Sequence, residues 1–180
     1  MPTKSQSATF SSWIRCAETS RFAFARVPAE ISLSHLRRGR ITAELTAGKS
    51  CFEALMEPDG KLGHWFRVPT SVMKKEDLVI GLEVSFKLSR LANQPEPTLP
   101  GHFHSLLKKS PSAQATWEQA TTLAKIDWVH WMESAKQAAT RQERATSAID
   151  MLEKGKKRVC CFDPSGFYSK ALSCPTGDDQ

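Results

Sequence analysis

The sequence predicts an α+β protein in which a small N-terminal β-barrel is followed by a C-terminal helical hairpin or bundle. Three observations lead to this prediction: a strand pattern that occurs twice in the first half, a cluster of prolines in the middle, and apolar residues at helical spacing in the second half. Strands bury every second residue, whereas helices repeat every three to four residues, so the two halves differ in architecture.

The first half contains an internal repeat. Residues 24–45 include F-A-R-V-P-A-E-I and G-R-I-T-A-E-L, and residues 65–88 include W-F-R-V-P-T-S-V and G-L-E-V-S-F-K-L. Pro28 and Pro69 cannot donate a hydrogen bond to a sheet, so each ends a strand and suits the start of a short helix. Each copy therefore predicts a strand, a proline-initiated helical turn, a glycine turn and a second strand.

This order of elements resembles the swapped-hairpin element of AbrB-like double-split barrels. Its appearance twice implies that one chain supplies both halves of a duplicated barrel over residues 8–94. The resemblance also implies a possible nucleic-acid-binding regulator. However, the basic loop that precedes the proline strand in DNA-binding AbrB proteins has no clear counterpart around Thr19, Ser20 and Arg21.

Three prolines within six residues mark a stiff connector at residues 95–101, where the strand pattern ceases. We expect a helical domain over residues 102–158, a C-terminal tail over residues 159–180 that is disordered from Thr176, and disorder at residues 1–7. Ser110 followed by Pro111 predicts an N-cap with proline at the first helical position.

The segment from residue 126 to residue 158 predicts two amphipathic helices, because apolar residues recur there at helical spacing. Thr140 and Glu143 form the pattern T-x-x-E, which is typical of a capping box at the start of the second helix. Gly155 predicts the end of that helix.

The same segment resembles the C-terminal helical part of the YdeI/OmpD-associated, or bacteriocin-protection, family. The family pattern is filled by Trp128, Trp131, Met132, Ala135, Lys136, Thr140, Arg141, Arg144, Leu152, Gly155 and Lys156. The resemblance implies a non-enzymatic role in protection against bacteriocins, cationic antimicrobial peptides or envelope stress, through binding of another protein. The candidate partner-binding residues are Trp128, Trp131, Lys136, Arg141, Arg144, Lys156 and Lys157.

Composition allows several partners and excludes few. The chain has 25 basic and 19 acidic residues, a net charge of +6 and a pI near 9.2, so an acidic partner is allowed but nucleic acid is not favoured. No apolar run reaches the length of a membrane span or a signal peptide, so we expect a cytoplasmic protein with free thiols, as a monomer or weak homodimer.

No catalytic motif is present: the sequence lacks G-x-S-x-G, G-x-x-x-x-G-K-[ST] and G-x-G-x-x-G. We therefore predict no catalytic residue, metal or cofactor. A third possibility is an enzyme or anion-binding protein whose cleft uses Arg26, Arg67, His64 and Trp65 as ligand-binding residues. The simpler interpretation is that Arg26 and Arg67 point outward from alternating strands.

Two further clusters have both a structural and a functional interpretation. Lys154, Lys156, Lys157 and Arg158 suit a hydrated helix C-terminus, although anions could bind there. Cys160 and Cys161 suit a short strand of alternating burial, V-C-C-F, although a redox or metal role remains open. His102 and His104 lack a partner at metal-ligand spacing.

Overall fold

The computed structural model describes residues 7–178 and confirms an α+β protein. Expectations for residues 1–6 and 179–180 lie outside this range. The described residues divide into two compact units. The strand-rich unit contains the residues up to Asn93 together with those from Ser165 onward, and the helical unit is Gln94–Pro164. No helix within the described range is long and apolar enough to cross a membrane.

The strand-rich unit is built on one antiparallel sheet. In chain order its strands are β1 (Ser7–Trp13), β2 (Arg15–Ala17), β3 (Ala23–Val27), β4 (Ile41–Ala47), β5 (Ser50–Pro58), β6 (His64–Arg67), β7 (Glu83–Arg90) and β8 (Gly177–Asp178). The spatial order is β1-β7-β4-β5-β6-β3-β2-β8. Helices α1 (Ala29–His35) and α2 (Thr70–Lys75) follow β3 and β6. Each copy of the repeat therefore consists of a strand, a short helix and a second strand.

The first extended segment of the chain pairs at two places in the sheet. Only Ile14 separates β1, which pairs with β7, from β2, which pairs with β3. At the junction Ile14 donates its N–H to the carbonyl of Leu82 (2.9 Å) and accepts the N–H of Gly81 (2.8 Å). Gly81 and Leu82 thus both lie opposite Ile14, and Gly81 has φ +84°, as in a glycine β-bulge. Such a bulge bends the strands and helps the sheet to curl.

The two copies of the repeat occupy equivalent positions in the sheet. Strand β3 of the first copy pairs with β6 of the second, and β4 pairs with β7. In the first pairing Ala25 lies opposite Phe66, and in the second Leu45 lies opposite Leu88. All four side chains are fully buried. The repeat predicted from the sequence therefore places its two copies around a shared core.

Aromatic side chains form the centre of that core. The Phe66 ring packs edge to face on the Phe86 ring at 5.1 Å between centroids, and Phe10 stacks on Phe86 at 5.7 Å. Edge-to-face and offset-stacked rings contribute about 0.5–1.5 kcal/mol beyond the buried area. The alternating strand pattern of the sequence thus produces a packed interior.

The C-terminal tail differs from its prediction as disordered from Thr176. Residues from Ser165 onward belong to the strand-rich unit, and β8 pairs with β2. Thr176 accepts the N–H of Glu18 at its carbonyl (3.1 Å) and donates its hydroxyl to the Glu18 carboxylate (3.0 Å). Small and polar composition suggested a free end, but β2 offers this segment backbone partners that the local sequence does not reveal.

The helical unit contains α3 (Gly101–Leu107), α4 (Pro111–Gln119), α5 (Thr122–Glu133) and α6 (Ala138–Glu153). Its core includes Phe103, Trp117, Trp128, Met132, Ala148 and Leu152. The predicted N-cap is confirmed, because the Ser110 hydroxyl accepts the N–H of Ala113 at 3.3 Å. The predicted end of the last helix is also confirmed: Gly155 has φ +76°, and the N–H groups of Gly155 and Lys156 bond the carbonyls of Leu152 and Met151.

The predicted capping box is wrong. Helix α6 begins at Ala138 with Gln137 as the N-cap, so Thr140 lies inside the first turn. The hydroxyl of a residue inside the helix cannot occupy the N-cap position that the motif requires. The helix begins earlier than the motif indicated because Ala138 and Ala139 favour helix and extend it toward α5.

Candidate functional site

The candidate ligand-binding residues of the strand-rich unit do not share one face. In the pairing of β3 with β6, Arg26 lies opposite Trp65 and Phe24 lies opposite Arg67, so these four side chains project from the same side of the sheet. His64 lies opposite Val27 on the other side, and both are buried. The structure therefore brings Arg26, Arg67 and Trp65 onto one face and places His64 in the interior.

Trp65 and Arg67 line a cavity of about 350 Å³. Glu53, Leu55, Glu57 and Pro69 also line it. The Arg67 guanidinium lies 3.9 Å from the centre of the Phe22 ring, which stacks on Trp65. Glu53 and Glu57 place negative charge in this lining, and the Glu57 carboxylate is paired with Arg40 at 2.8 Å, so the lining carries charge of both signs and not the positive potential of an anion site. The sequence did not signal these glutamates, which come from a different strand.

Arg26 is exposed, and the C-terminal segment supplies its partner. Its Nε–H donates to the Sγ of Cys174 at 3.2 Å, and its backbone N–H donates to the Ser12 hydroxyl at 3.1 Å. Burial raises the pKa of the Cys174 thiol, and the guanidinium opposes this effect. Arg26 is thus engaged in holding the segment after Ser165.

His64 is a buried histidine of the strand-rich interior. Its side chain is 3% exposed, its Nε2 lies 3.1 Å from the carbonyl oxygen of Gly39, and its Nδ1 is buried without a hydrogen-bond partner among the described residues. Burial lowers the pKa of His64 below its ordinary value, and the Gly39 carbonyl opposes the shift. The neutral imidazole is therefore the form that the fold accommodates.

This lowered pKa predicts a pH dependence of stability. Below the ordinary histidine pKa near 6.5 the unfolded chain binds a proton at His64 that the folded chain resists, so folding weakens as pH falls, by at most about 1.4 kcal/mol per pH unit. Urea unfolding between pH 7.5 and 5.5 measures how stability depends on pH, and His64→Gln should lose the part of this slope that comes from His64. The His35→Gln variant, which replaces a histidine that is only partly buried, should keep it. Equal slopes in wild type and His64→Gln would contradict the prediction.

The arginines of the helical motif hold the end of one helix against the next. The Arg144 guanidinium donates to the carbonyl of Trp131 (2.6 Å) and to the hydroxyl of Ser134 (3.0 Å), and it lies 5.4 Å from the Trp131 ring. Arg141 donates to the carbonyls of Ala135 (2.9 Å) and Lys136 (3.1 Å). Carbonyls at the end of a helix lack partners within it, so these bonds satisfy α5 and its following loop.

The two tryptophans of the motif have different environments. Trp128 is fully buried in the helical core, whereas Trp131 is half-buried and packs edge to face against it at 6.0 Å between centroids. A buried indole cannot contact a partner without local unfolding. Of the tryptophans predicted to bind a partner, only Trp131 offers part of its ring to solvent.

A second cavity, of about 250 Å³, lies beside these arginines. Phe103, Met132 and Ala145 form its apolar floor, and His102, Glu133, Arg141 and Gln142 are the polar groups around it. It combines one acidic and one basic side chain with an apolar base. Its size and lining would suit a small side chain or ligand fragment more than a large cofactor.

The opposite end of α6 concentrates positive charge. The Ser110 hydroxyl donates to the Glu153 carboxylate at 2.6 Å, which joins the start of α4 to the last turn of α6. This bond brings the part of the chain with the lysines before Ser110 close to the part with the lysines after Glu153. We call this surface the basic end, and it consists of Lys108, Lys109, Lys154, Lys156, Lys157 and Arg158, all of them exposed.

The sequence indicates only four of the six cations of the basic end, those from Lys154 to Arg158. Lys108 and Lys109 were missed because the contact that brings them there spans 43 residues. Helix α6 has 16 residues, so the basic end lies about 24 Å from the loop that carries Lys136. The predicted partner-binding residues therefore divide between two separate surfaces.

Cys160 and Cys161 are both exposed and do not form the predicted strand. Cys161 has φ +58°, a left-handed conformation that interrupts an extended backbone. The two Sγ atoms lie 3.2 Å apart. In residues 7–178 no group of three or more histidine, cysteine, aspartate or glutamate side chains is arranged to hold a metal ion.

Fold and site together define an α+β protein in which a duplicated strand–helix–strand module accompanies a helical unit built on an arginine–tryptophan motif. Residues 96–155 match the family described as bacteriocin-protection, YdeI or OmpD-associated. Residues 10–88 match a domain of unknown function, DUF1905. The resemblance predicted from the sequence is confirmed: the helical unit matches the YdeI/OmpD-associated family. Comparison with curated proteins and with solved structures gave no match.

Proposed function

We propose that this protein is a non-enzymatic, cytoplasmic member of its family that protects the cell against bacteriocins, cationic antimicrobial peptides or envelope stress. The observation that supports the proposal most is the match of residues 96–155 to a family described by bacteriocin protection. The protection is exerted through a protein partner. The helical unit is the part of the chain that this match covers.

The basic end of the helical unit supplies the contact surface in this proposal. Six exposed cations adjoin Ser110 and Glu153 in the sequence, and the Glu153 carboxylate is already bonded to Ser110. Complementary charge steers association and selects partners more than it adds affinity. The partner is therefore an acidic protein surface. Direct capture of a cationic peptide at this surface is disfavoured, because like charges repel.

The test is a survival assay in the protein's own host. A strain lacking the gene is complemented with wild type, with Lys108, Lys109, Lys156 and Lys157 all changed to glutamine, or with a control. The control changes Lys49, Lys61, Lys74 and Lys75 to glutamine, which are exposed lysines of the strand-rich unit. Both variants lose four positive charges. We expect wild type and control to restore survival across a panel of bacteriocins and cationic peptides, and the basic-end variant to leave it at the level of the deletion.

Two outcomes would contradict different parts of this proposal. Equal survival of deletion and parent strain across the panel would remove the protective function. Full protection by a folded basic-end variant would keep the function and remove the surface. Circular dichroism of the purified variants separates loss of the surface from loss of the fold.

We also infer that the strand-rich unit is of the AbrB-like double-split type. The pairing of β3 with β6 and of β4 with β7 supports this, because a double-split barrel interleaves two equivalent halves. Strand β5 then repeats the role of β1 and β2, since it pairs with β4 and with β6.

A nucleic-acid-binding regulator is the alternative function. Its support is weaker, because the basic end lies on the helical unit and not on the unit that resembles AbrB proteins. Binding to duplex DNA that falls steeply with salt, and that is lost in the basic-end variant, would favour this alternative over an acidic protein partner.

A further inference from the structure

The segment that follows α6 holds two thiols side by side. In a strand, successive side chains point to opposite faces, which would separate the sulfurs of adjacent cysteines. Here the left-handed conformation of Cys161 turns the backbone, and the Sγ atoms of Cys160 and Cys161 lie 3.2 Å apart on an exposed surface. The pair therefore presents two sulfur donors in one direction.

The segment that leads to the pair is basic. Lys156, Lys157 and Arg158 precede it within five residues. The hydrogen bond between the two thiols and the charge of Cys160 raise the pKa of Cys161, while Lys156 opposes this effect. The two sulfurs are close enough to bond the same electrophile.

A disulfide is not the best product for this geometry. Adjacent residues have Cα atoms about 3.8 Å apart across a trans peptide, whereas disulfides ordinarily need about 4.4–6.8 Å. Inserting one atom between the sulfurs enlarges the ring and relieves that constraint. The close sulfurs suit an atom whose two bonds to sulfur form an angle near a right angle, as in trivalent arsenic. They do not suit a linear two-coordinate ion such as copper(I), which places its sulfurs on opposite sides.

We propose that Cys160 and Cys161 form a chelating dithiol site for a trivalent organoarsenic compound. In the reaction R–As=O takes two thiols, two As–S bonds form, the As=O bond breaks, and the oxygen leaves as water with both thiol protons. Arsenic remains trivalent, so neither an oxidant nor a reductant takes part. This site is independent of the protective function proposed above.

Phenylarsine oxide is the probe, and intact-protein mass spectrometry of the full-length chain is the measurement. Wild type should gain one phenylarsenic group with loss of one water, and both cysteines should then resist alkylation by iodoacetamide. Cys160→Ser and Cys161→Ser should each bind about a hundredfold more weakly, because the second thiolate of the pair binds at high effective concentration. A small competing dithiol should release the group from wild type.

Cys51→Ser is the matched control, since Cys51 is also exposed but belongs to the strand-rich unit. It should bind the probe as wild type does. Equal affinity in Cys160→Ser, Cys161→Ser and wild type would overturn the proposal, as would an adduct located by peptide mapping on Cys16 or Cys174. Circular dichroism of each serine variant shows that a loss of binding is not a loss of fold.

Discussion

Replacing Trp128 with alanine should lower the free energy of unfolding of the helical unit by about 3–5 kcal/mol. The indole is fully buried among the helices, and its neighbours include Trp131 at 6.0 Å between ring centroids. Truncation removes a large apolar group and leaves a cavity that helices joined by short loops can close only in part. Trp128 therefore serves stability before it serves recognition.

Hydrogen exchange of the α5 and α6 amides, followed with urea unfolding, measures this loss. Trp13→Ala is the control, since Trp13 is 50% exposed in the strand-rich unit, and it should leave those amides unchanged. Trp128→Phe should cost less than alanine, because it keeps the ring and removes an indole N–H that has no hydrogen-bond partner among the described residues. Unchanged protection in Trp128→Ala, with loss of partner binding, would mean that the indole is a contact residue.

Local signals in the sequence predicted the helix ends well. Ser110 with Pro111, and Gly155, act through bonds to backbone groups only a few residues away, so their neighbours in sequence suffice to identify them. The motif at Thr140 failed for a related reason. A threonine three residues before a glutamate matches the capping-box pattern whether or not a helix begins there. Here Ala138 and Ala139 start the helix before Thr140.

Contacts between distant parts of the chain could not be predicted from the sequence. The hydrogen bonds of Arg141 and Arg144 could not be predicted, because their carbonyl partners lie at the end of α5 and in the loop that follows it. The basic end depends on the bond between Ser110 and Glu153, and the sulfur pair depends on one left-handed residue. Residue types and helical periodicity do not predict these contacts, because the contacts form only when distant segments pack together.

Duplication is the exception, because a repeated sequence predicts which segments are equivalent even when they lie far apart. The two Arg-Val-Pro segments predicted equivalent strands, and β3 does pair with β6. The centre of this pairing joins Ala25 to Phe66, although the repeat places alanine at one position and phenylalanine at the other. One large and one small side chain thus share the space at the centre of the module.

Exchanging those two side chains tests this interpretation with a large effect. Phe66→Ala should destabilise the strand-rich unit by about 3–5 kcal/mol, since Phe66 is fully buried and packs on Phe86 at 5.1 Å. Ala25→Phe should also destabilise it, by about 1–3 kcal/mol or more, because the core is already filled. Directly opposite residues have their Cβ atoms about 5 Å apart, so a phenyl group at residue 25 can enter the space that residue 66 vacates.

The double variant Ala25→Phe, Phe66→Ala should therefore unfold at higher urea concentration than the sum of the single effects allows, with a coupling of about 0.5–3 kcal/mol. Ala43→Phe combined with Phe66→Ala is the control. Ala43 is equally buried, but its strand β4 pairs with β5 and β7 and not with β6. That pair should show no recovery. Additive losses in the exchanged variant would mean that Ala25 and Phe66 do not share one space, and the symmetric register of the two copies would be wrong.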